Sequence, residues 1–276
     1  MTVAITNAIT NAINTAMHDD IVLQTHGLMK KFGGITATNN VSMTIRRGAR
    51  HALIGPNGAG KTTLINQLTG VLAPTAGRVV LGGRDITQLA PHKRVALGLV
   101  RTFQINQLFG TLTPLQSLAL AVASRLGRAR RWWLPMGADR EIAAECARLL
   151  AQFRLTEFAD RATSELPYGK RRLLEIALAV AQQPSVLLLD EPAAGVPGPE
   201  RAGILATVAA LPDTVAVVLI EHDMDLVFSF AKSMTVLVNG TVLTEGTPAQ
   251  IAADPQVRAV YLGESLARPA AGMAHG

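Results

Sequence analysis

Gly55-Pro56-Asn57-Gly58-Ala59-Gly60-Lys61-Thr62-Thr63 is the stretch that decides the fold of this chain. It follows the apolar run 52–54 and precedes the segment 64–68, which reads as a helix. Strand, glycine-rich loop and helix form the context in which GxxxxGK[ST] cradles phosphates. The glycines let backbone N–H groups converge on the phosphates, and the helix N-terminus adds partial positive charge. Lys61 is predicted to reach the β- and γ-phosphates, and Thr62 to offer its hydroxyl to Mg²⁺. The alternative, a glycine-rich turn before an ordinary helix, is disfavoured by these flanks.

The composition is that of a folded protein with one large α/β domain or a core domain plus an insert. Of the 276 residues, 49% are hydrophobic and 17% are charged, so disorder is not the default. The single cysteine, Cys146, excludes a disulfide framework and a cysteine-based metal site. The net charge of +6 is compatible with nucleic acid, an anionic membrane surface or a nucleotide-binding protein with a basic face, and does not choose among them. No apolar run approaches the ~18 residues that span a bilayer, so membrane association is expected only through a partner.

Patterning divides the chain into a core, an insert and two ends. Residues 1–20, which begin with repeats of Ala-Ile-Thr-Asn, are predicted to form a weakly ordered extension. Residues 21–265 are predicted to form a single domain, in which about 105–183 is a helical subdomain. Residues 266–276 are predicted to be a disordered tail.

Short strand-like segments flank the phosphate loop and the predicted helical subdomain. Two continuous apolar runs, 186–189 and 215–220, are typical of strands buried on both faces of a parallel sheet. The other predicted strands are 21–29, 41–45, 78–81, 99–104, and the hairpin 234–238 and 241–243 around Asn239-Gly240.

Polar side chains follow three of these strands directly. Asp190 and Glu191 come after the first apolar run, and we expect Asp190 to serve the Mg²⁺ shell and Glu191 to activate water as the general base. His222 follows the second run and can bond the γ-phosphate. Gln104, at the end of 99–104, can touch Mg²⁺ or the water without competing for charge. Each alone has an ordinary alternative as a surface polar residue, which the upstream phosphate loop makes less attractive.

Two further features are candidates for contact with a nucleotide. Phe32 lies 29 residues before Lys61 in a turn with two glycines, where it could stack on adenine or, equally well on physical grounds, join the core. The string Leu166-Pro167-Tyr168-Gly169-Lys170 precedes a helix predicted over 171–181. A second phosphate-facing helix start makes most sense if it serves the nucleotide of another subunit.

These motifs together resemble those of an ABC-transporter ATPase subunit in order and spacing. The phosphate loop, Gln104, Leu166–Lys170, Asp190-Glu191 and His222 are similar to the Walker A, Q-loop, signature, Walker B and H-loop motifs, with Phe32 at the A-loop position. The resemblance covers about residues 21–265. It implies an α/β fold: a P-loop NTPase core with a mainly parallel sheet, an antiparallel β subdomain and an inserted helical subdomain.

Finer strings resemble one subfamily, the LivG-type ATP-binding proteins of branched-chain amino acid importers. They include Val100–Gln104, Leu173–Ala177, Asp190–Gly195, Ile220–Met224 and Ala259–Glu264. The resemblance implies ATP and Mg²⁺ as cofactors, and a head-to-tail dimer with a second, LivF-like ATPase subunit that sandwiches two ATP molecules. It also implies two membrane permease subunits and, indirectly, an extracytoplasmic binding protein. The chain would then lie at the cytoplasmic face of the inner or plasma membrane, held there by the permeases.

Three residues depart from the general ABC pattern. Pro167 stands where the signature usually has a serine, and Lys170 where it usually has a glutamine. Pro197 occupies the polar D-loop position and has no N–H to donate. We expect the partner's ATP, which faces this signature, to be hydrolysed less efficiently than the ATP bound at Lys61.

Several functions remain as alternatives at this point. A urea, amide or other amino-acid importer is close, because the ATPase subunit does not touch the transported substrate. A non-transport ABC ATPase acting on nucleic acid is suggested by the basic charge but lacks the expected second cassette or coiled coil, so no nucleic-acid partner is predicted. A regulatory subunit with little hydrolysis is suggested by Pro167 and Pro197, whereas Glu191 and His222 argue for an enzyme.

Overall fold

Ten strands, nine α-helices and two short 3-10 helices occur in the residues that this computed structural model describes, which are 20–102, 108–128 and 139–267. The strands are β1 (Ile21–Phe32), β2 (Ile35–Arg46), β3 (Arg50–Ile54), β4 (Ala76–Leu81), β5 (Arg84–Asp85), β6 (Leu99–Arg101), β7 (Val186–Asp190), β8 (Ala216–Ile220), β9 (Ser233–Val238) and β10 (Thr241–Gly246). The helices are α1 (Lys61–Thr69), α2 (Pro91–Ala96), α3 (Pro114–Arg125), α4 (Arg140–Gln152), α5 (Tyr168–Val180), α6 (Gly198–Ala209), α7 (Met224–Phe230), α8 (Pro248–Ala253) and α9 (Pro255–Ala267).

The larger of two sheets has the strand order β10-β9-β3-β8-β7-β6. Its strands from β9 to β6 run parallel, and only β10 is antiparallel, in a hairpin with β9. The smaller sheet, β2-β1-β4-β5, is antiparallel throughout. This confirms the predicted α/β fold with a mainly parallel sheet and an antiparallel β part.

The core lies on both faces of the parallel sheet, which explains the continuous apolar runs. Leu187 and Leu189 of β7 pack in one apolar cluster with helices α3 to α7. Val186 and Leu188, which point to the opposite face, pack in a second cluster with α1 and the antiparallel sheet. Because neither face of β7 meets water, the strand carries no alternation of polar and apolar residues.

Helices fill the described part of the chain between β6 and β7. Thr113 starts α3 with a reciprocal capping box to Gln116, and the Asp139 carboxylate accepts N–H bonds at the start of α4. The helices α3 and α4 pack on each other, and α3 also contacts α5. Among the described residues 108–128 and 139–183 there is no strand. The division into subdomains remains a prediction, and residues 1–19 and 268–276 lie outside the described residues.

A buried arginine secures the end of α1, the helix that follows the phosphate loop. Arg94 of α2 donates to the carbonyls of Gln67 and Leu68 at 2.8 and 2.6 Å, which are carbonyls of the last turn of α1. It also donates to the carbonyls of Thr87 and Leu89. One side chain thus supplies donors at a helix end where backbone donors run out, although the Gln67 carbonyl also accepts from the Gly70 N–H at 3.3 Å.

Three predicted element boundaries differ clearly from the structure. Strand β6 ends at Arg101, so the predicted strand end at Gln104 is too late. The helix after the signature starts at Tyr168 and not at 171, because Pro167 takes the N-cap position and Gly169 and Lys170 lie within the first turn. The first strand is also longer than predicted, since it continues to Phe32.

No helix in the described ranges is long and apolar enough to cross a membrane. The longest of them have 13 residues, whereas a membrane span needs about 20.

Candidate functional site

The phosphate loop connects β3 to α1, and its shape depends on glycine. Gly60 forms the N-cap of α1 with φ of 98°, and a Cβ there would lie 2.3 Å from the carbonyl oxygen of Ala37. At Gly55 a Cβ would lie 2.1 Å from the carbonyl oxygen of Leu237. A side chain at either position would therefore push the loop away from neighbouring backbone.

The loop itself holds the Lys61 ammonium. It donates to the carbonyl oxygens of Gly55 and Pro56 at 2.5 and 2.9 Å. Lys61 and Thr62 are the first two residues of α1, so their side chains lie at the positive end of the helix dipole. Of the remaining residues predicted for this motif, Asn57, Gly58 and Ala59 lie in the same strand-to-helix connection, and Thr63 is the third residue of α1.

Strands β8 and β7, which follow β3 in the sheet, bring further predicted residues to the same edge of the sheet. β3 pairs with β8, and β8 pairs with β7, all parallel. The carboxyl ends of these strands therefore lie together, with Asp190 and Glu191 at the end of β7 and His222 just after β8. This is the edge of an open α/β sheet at which ligands bind.

Glu191 and His222 approach each other across this edge. The His222 Nδ1 lies 3.5 Å from the Glu191 Oε1, while the imidazole is 72% exposed. Glu191 has φ of 47°, an uncommon conformation for a residue other than glycine and one that is found at active sites. Its N–H donates to the carbonyl of Ile220 at 2.9 Å, which fixes this turn of the chain onto β8.

A buried carboxylate that the sequence analysis did not single out supports this pair. Glu221 accepts hydrogen bonds from the N–H groups of Ala193 and His222, each at 3.3 Å. Burial raises the pKa of the Glu221 carboxyl, and its hydrogen bond from Ala193 and the nearby His222 act in the opposite direction. Glu221 thus ties the segment after Glu191 to the segment that carries His222. Its sequence signal was an acid directly after a wholly apolar strand.

Asp190 makes an ion pair within the site. The Arg101 guanidinium donates to the Asp190 Oδ2 at 2.5 Å and to the Asn66 Oδ1 at 2.8 Å. Neither Arg101 nor Asn66 was assigned a role from the sequence, although Arg101 stands in the quoted string before Gln104.

Phe32 is exposed, so the core alternative for it is wrong. The side chain is 50% exposed at the end of β1, and the Lys30 ammonium lies 5.3 Å from the centre of its ring. Gln104 lies outside the described residues.

The signature string lies at the start of α5. Leu166 is buried, Pro167 is the N-cap without a side-chain hydrogen bond, and Gly169 is buried in the first turn. The Tyr168 hydroxyl donates to the carbonyl of Ala194 at 3.2 Å, in the segment that follows Glu191.

The Lys170 ammonium donates to the carbonyl of Arg154 at 3.0 Å and lies over the Phe158 ring, which directs it toward the helical part of the chain. The structure thus brings Glu191 and His222 together. It also links Tyr168 of the signature string to Ala194, three residues after Glu191.

Comparisons with known proteins identify the family of this chain. The family model described as ABC transporter matches residues 38–194, which is more than half of the chain. The chain belongs to the ABC transporter family. A second model, described as branched-chain amino acid ATP-binding cassette transporter, matches residues 241–267 of this ABC ATP-binding cassette.

Curated relatives match the cassette almost from end to end. It is 41% identical over 251 residues to the high-affinity branched-chain amino acid transport ATP-binding protein BraF of Pseudomonas aeruginosa, covering 88% of this chain and 98% of the relative. It is 39% identical over 251 residues, with the same coverage of both chains, to the corresponding protein LivG of Escherichia coli.

Solved structures match the fold. A nucleotide-free ATP-binding cassette from an ABC transporter has a TM-score of 0.75 and 30% identity, covering 87% of this chain and 98% of that one. The ADP conformation of an ABC-transporter cassette has a TM-score of 0.73 and 29% identity, with 88% and 99% covered. The predicted family and fold are therefore confirmed.

Proposed function

We propose that this ABC ATP-binding cassette is the ATP-hydrolysing subunit of an importer for branched-chain amino acids. The observation that carries the enzymatic part is the convergence of the phosphate loop, Asp190-Glu191 and His222 at the ends of three adjacent parallel strands. The names of the 39–41% identical relatives support branched-chain amino acids as the transported substrate.

Binding of ATP is assigned to the phosphate loop and its helix. Gly55 to Thr63 surround the phosphates with backbone N–H groups, and Lys61 exchanges the carbonyls of Gly55 and Pro56 for the β- and γ-phosphates. Phe32, exposed at the end of β1, stacks on the adenine. Aromatic rings offer a flat apolar face for such stacking.

The side chains proposed to hold Mg²⁺ fit that ion chemically. The Thr62 hydroxyl and the Asp190 carboxylate are hard oxygen donors, and Mg²⁺ in proteins takes one or two carboxylates together with substrate phosphates. Gln104 adds a neutral amide oxygen. The chemistry that Mg²⁺ would supply at these side chains is to offset the negative charge of the phosphates.

Glu191 acts as the general base of hydrolysis. Its carboxylate accepts a proton from a water molecule as the water oxygen bonds to the γ-phosphorus. The bond from the γ-phosphorus to the bridging oxygen breaks, and its electron pair stays on ADP. His222, whose Nδ1 lies 3.5 Å from the Glu191 Oε1, bonds the γ-phosphate and orients the water that Glu191 deprotonates.

Leu166 to Lys170 complete an ATP site on a second cassette. The start of α5 presents backbone N–H groups to an anion, and a chain that already has one phosphate loop has no second nucleotide of its own to face. A LivF-like partner in a head-to-tail arrangement meets this requirement. Two permease subunits bind the dimer at the cytoplasmic face of the membrane, next to the helical subdomain at about 105–183, and an extracytoplasmic binding protein delivers the substrate.

Uptake by the assembled transporter tests this function. The chain is reconstituted in proteoliposomes with a LivF-like partner cassette, two permeases and a binding protein from the same organism, and ATP-dependent uptake of labelled leucine, isoleucine and valine is measured. We expect uptake of these amino acids, with Glu141→Gln, an exposed acid on α4, behaving as wild type. Uptake of urea or a short amide in their place would favour the alternative importer class, and ATP hydrolysis without uptake of any solute would contradict the transport function.

A further inference from the structure

We propose that Arg101 is a positioning residue for the Mg²⁺ site, which holds Asp190 in a fixed relation to Thr62 by bridging Asp190 to Asn66. This inference rests on the proposed function, because it takes Asp190 and Thr62 as the residues that serve the metal. It adds Arg101 of β6 to a site whose described residues, Asp190 and Thr62, come from β7 and α1.

The bridge is defined by two short contacts of one guanidinium. The Arg101 Nη2 lies 2.5 Å from the Asp190 Oδ2, and the Nη1 lies 2.8 Å from the Asn66 Oδ1. The side chains of Arg101 and Asp190 are each only 13% exposed. Water therefore competes little for this pair, and the ion pair is stronger than one at the surface.

The contact with Asn66 links Arg101 to the helix that carries Thr62. Asn66 and Thr62 are four residues apart in α1, so they occupy the same face of the helix, one turn from each other. An arginine held by Asn66 and bonded to Asp190 therefore fixes the end of β7 against the helix face that carries Thr62.

The contact with Arg101 uses only one of the two carboxylate oxygens of Asp190 that could serve the metal. Arg101 engages the Oδ2 of Asp190, and a carboxylate has a second oxygen that can bond the ion or its water. Residues that orient metal ligands in this way from outside the coordination shell change metal affinity about 10–100-fold when they are replaced.

The position also suits arginine and not lysine. A planar guanidinium presents two N–H groups in a fixed fork and can bond two acceptors at once, whereas an ammonium is a point charge on a flexible stem. Lysine at position 101 would keep the charge near Asp190 but would not keep both contacts in one geometry.

The test measures ATP binding by the purified full chain, in EDTA and across a series of MgCl₂ concentrations. For Arg101→Gln we expect ATP affinity in EDTA within about twofold of wild type, because the phosphate loop is untouched. The Mg²⁺ concentration that gives half of the metal-dependent gain in affinity should rise about tenfold. Arg101→Lys should fall between wild type and Arg101→Gln, and Asn66→Ala should produce a smaller rise than Arg101→Gln.

Two reference variants make the result decisive. Arg125→Gln removes a similar ion pair in the helical part, between Arg125 and Glu145 with 18% and 13% exposure, and should leave the Mg²⁺ dependence unchanged. Asp190→Asn reports on the metal site directly and should raise the half-point.

Three results would overturn the proposal. An unchanged half-point in Arg101→Gln together with a raised one in Asp190→Asn would overturn the role of Arg101 and leave the proposed function standing. Loss of ATP binding in EDTA for both Arg101→Gln and Arg101→Lys would show a general structural role instead. No effect of Asp190→Asn would remove both the role of Arg101 and the assignment of Asp190.

Discussion

Acidification should destabilise this cassette through one buried histidine, His51 at the start of the strand that leads to the phosphate loop. The imidazole is only 5% exposed. It lies 2.8 Å from the hydroxyls of both Ser233 and Thr235 on the neighbouring strand β9. The Thr235 hydroxyl donates its proton to the Glu245 carboxylate at 2.7 Å, so the Thr235 oxygen accepts from the Nε2–H of His51. The Nδ1 of His51 then accepts from the Ser233 hydroxyl. This network fits a neutral imidazole.

The size of the effect follows from the pKa of His51. Burial lowers it from 6.5 to about 4, while the unfolded chain keeps the ordinary value. The unfolded state therefore binds more protons between these two values, so the stability contributed by neutral His51 is complete above pH 6.5 and is lost as the pH falls toward 4. At about 1.36 kcal/mol per pH unit, the loss attributable to His51 is about 2 kcal/mol at pH 5.

Urea denaturation of the full chain at pH 7.5 and pH 5 measures this loss. His51→Gln should lower stability at both pH values, because it disturbs the network, but it should reduce the difference between them by about 2 kcal/mol. His92→Gln, at an exposed position of α2, should retain the wild-type difference. If His51→Gln lost as much stability on acidification as wild type, the assignment of a buried neutral imidazole to this strand would be refuted.

Three further substitutions test other parts of the structure. Arg94→Met should lower the free energy of unfolding by about 3 kcal/mol, since it removes the guanidinium that donates to the Leu68 carbonyl at the end of α1 and to the carbonyls of Thr87 and Leu89. Chemical denaturation measures this, and a loss below about 0.5 kcal/mol would contradict it. Glu221→Gln should reduce ATP turnover of the assembled complex more than ATP binding, because an amide group replaces one of the two acceptors that meet the N–H groups of Ala193 and His222; equal turnover would rule out a role for Glu221 in holding His222. Pro167→Ser should raise ATP turnover of the assembled complex by supplying a hydroxyl at the signature. As an N-cap, the serine should also stabilise the isolated chain by about 1 kcal/mol. A gain in stability without a gain in turnover would show that the serine acts only as a cap.

Features that depend on local sequence were predictable from the chain alone. The phosphate loop follows from the residue types that its backbone requires, as the close approaches at Gly55 and Gly60 show. The apolar runs that became β7 and β8 were recognised because burial on both faces removes any polar alternation. The parallel pairing then explains why polar residues after separate strands lie at one edge of the sheet.

Features that depend on contacts between distant segments were not predictable. Arg101 bonds Asp190, 89 positions later in the chain, and no periodicity connects the two. Glu221 was not singled out from the sequence, because its contact with the N–H of Ala193, 28 residues earlier, is formed only in the folded chain. The start of α5 was placed too late, because Pro167 takes the N-cap position and Tyr168, Gly169 and Lys170 already form the first turn.

Hydrolysis of ATP by the assembled complex, with and without the Glu191 carboxylate, tests the central claim most directly. Glu191→Gln should bind ATP with wild-type affinity and release phosphate at least about 100-fold more slowly, since a general base contributes about 10²–10⁴-fold. Glu141→Gln should hydrolyse ATP as wild type does. If the Glu191→Gln complex released phosphate at the wild-type rate, Glu191 would not activate the water and the proposed mechanism would be wrong.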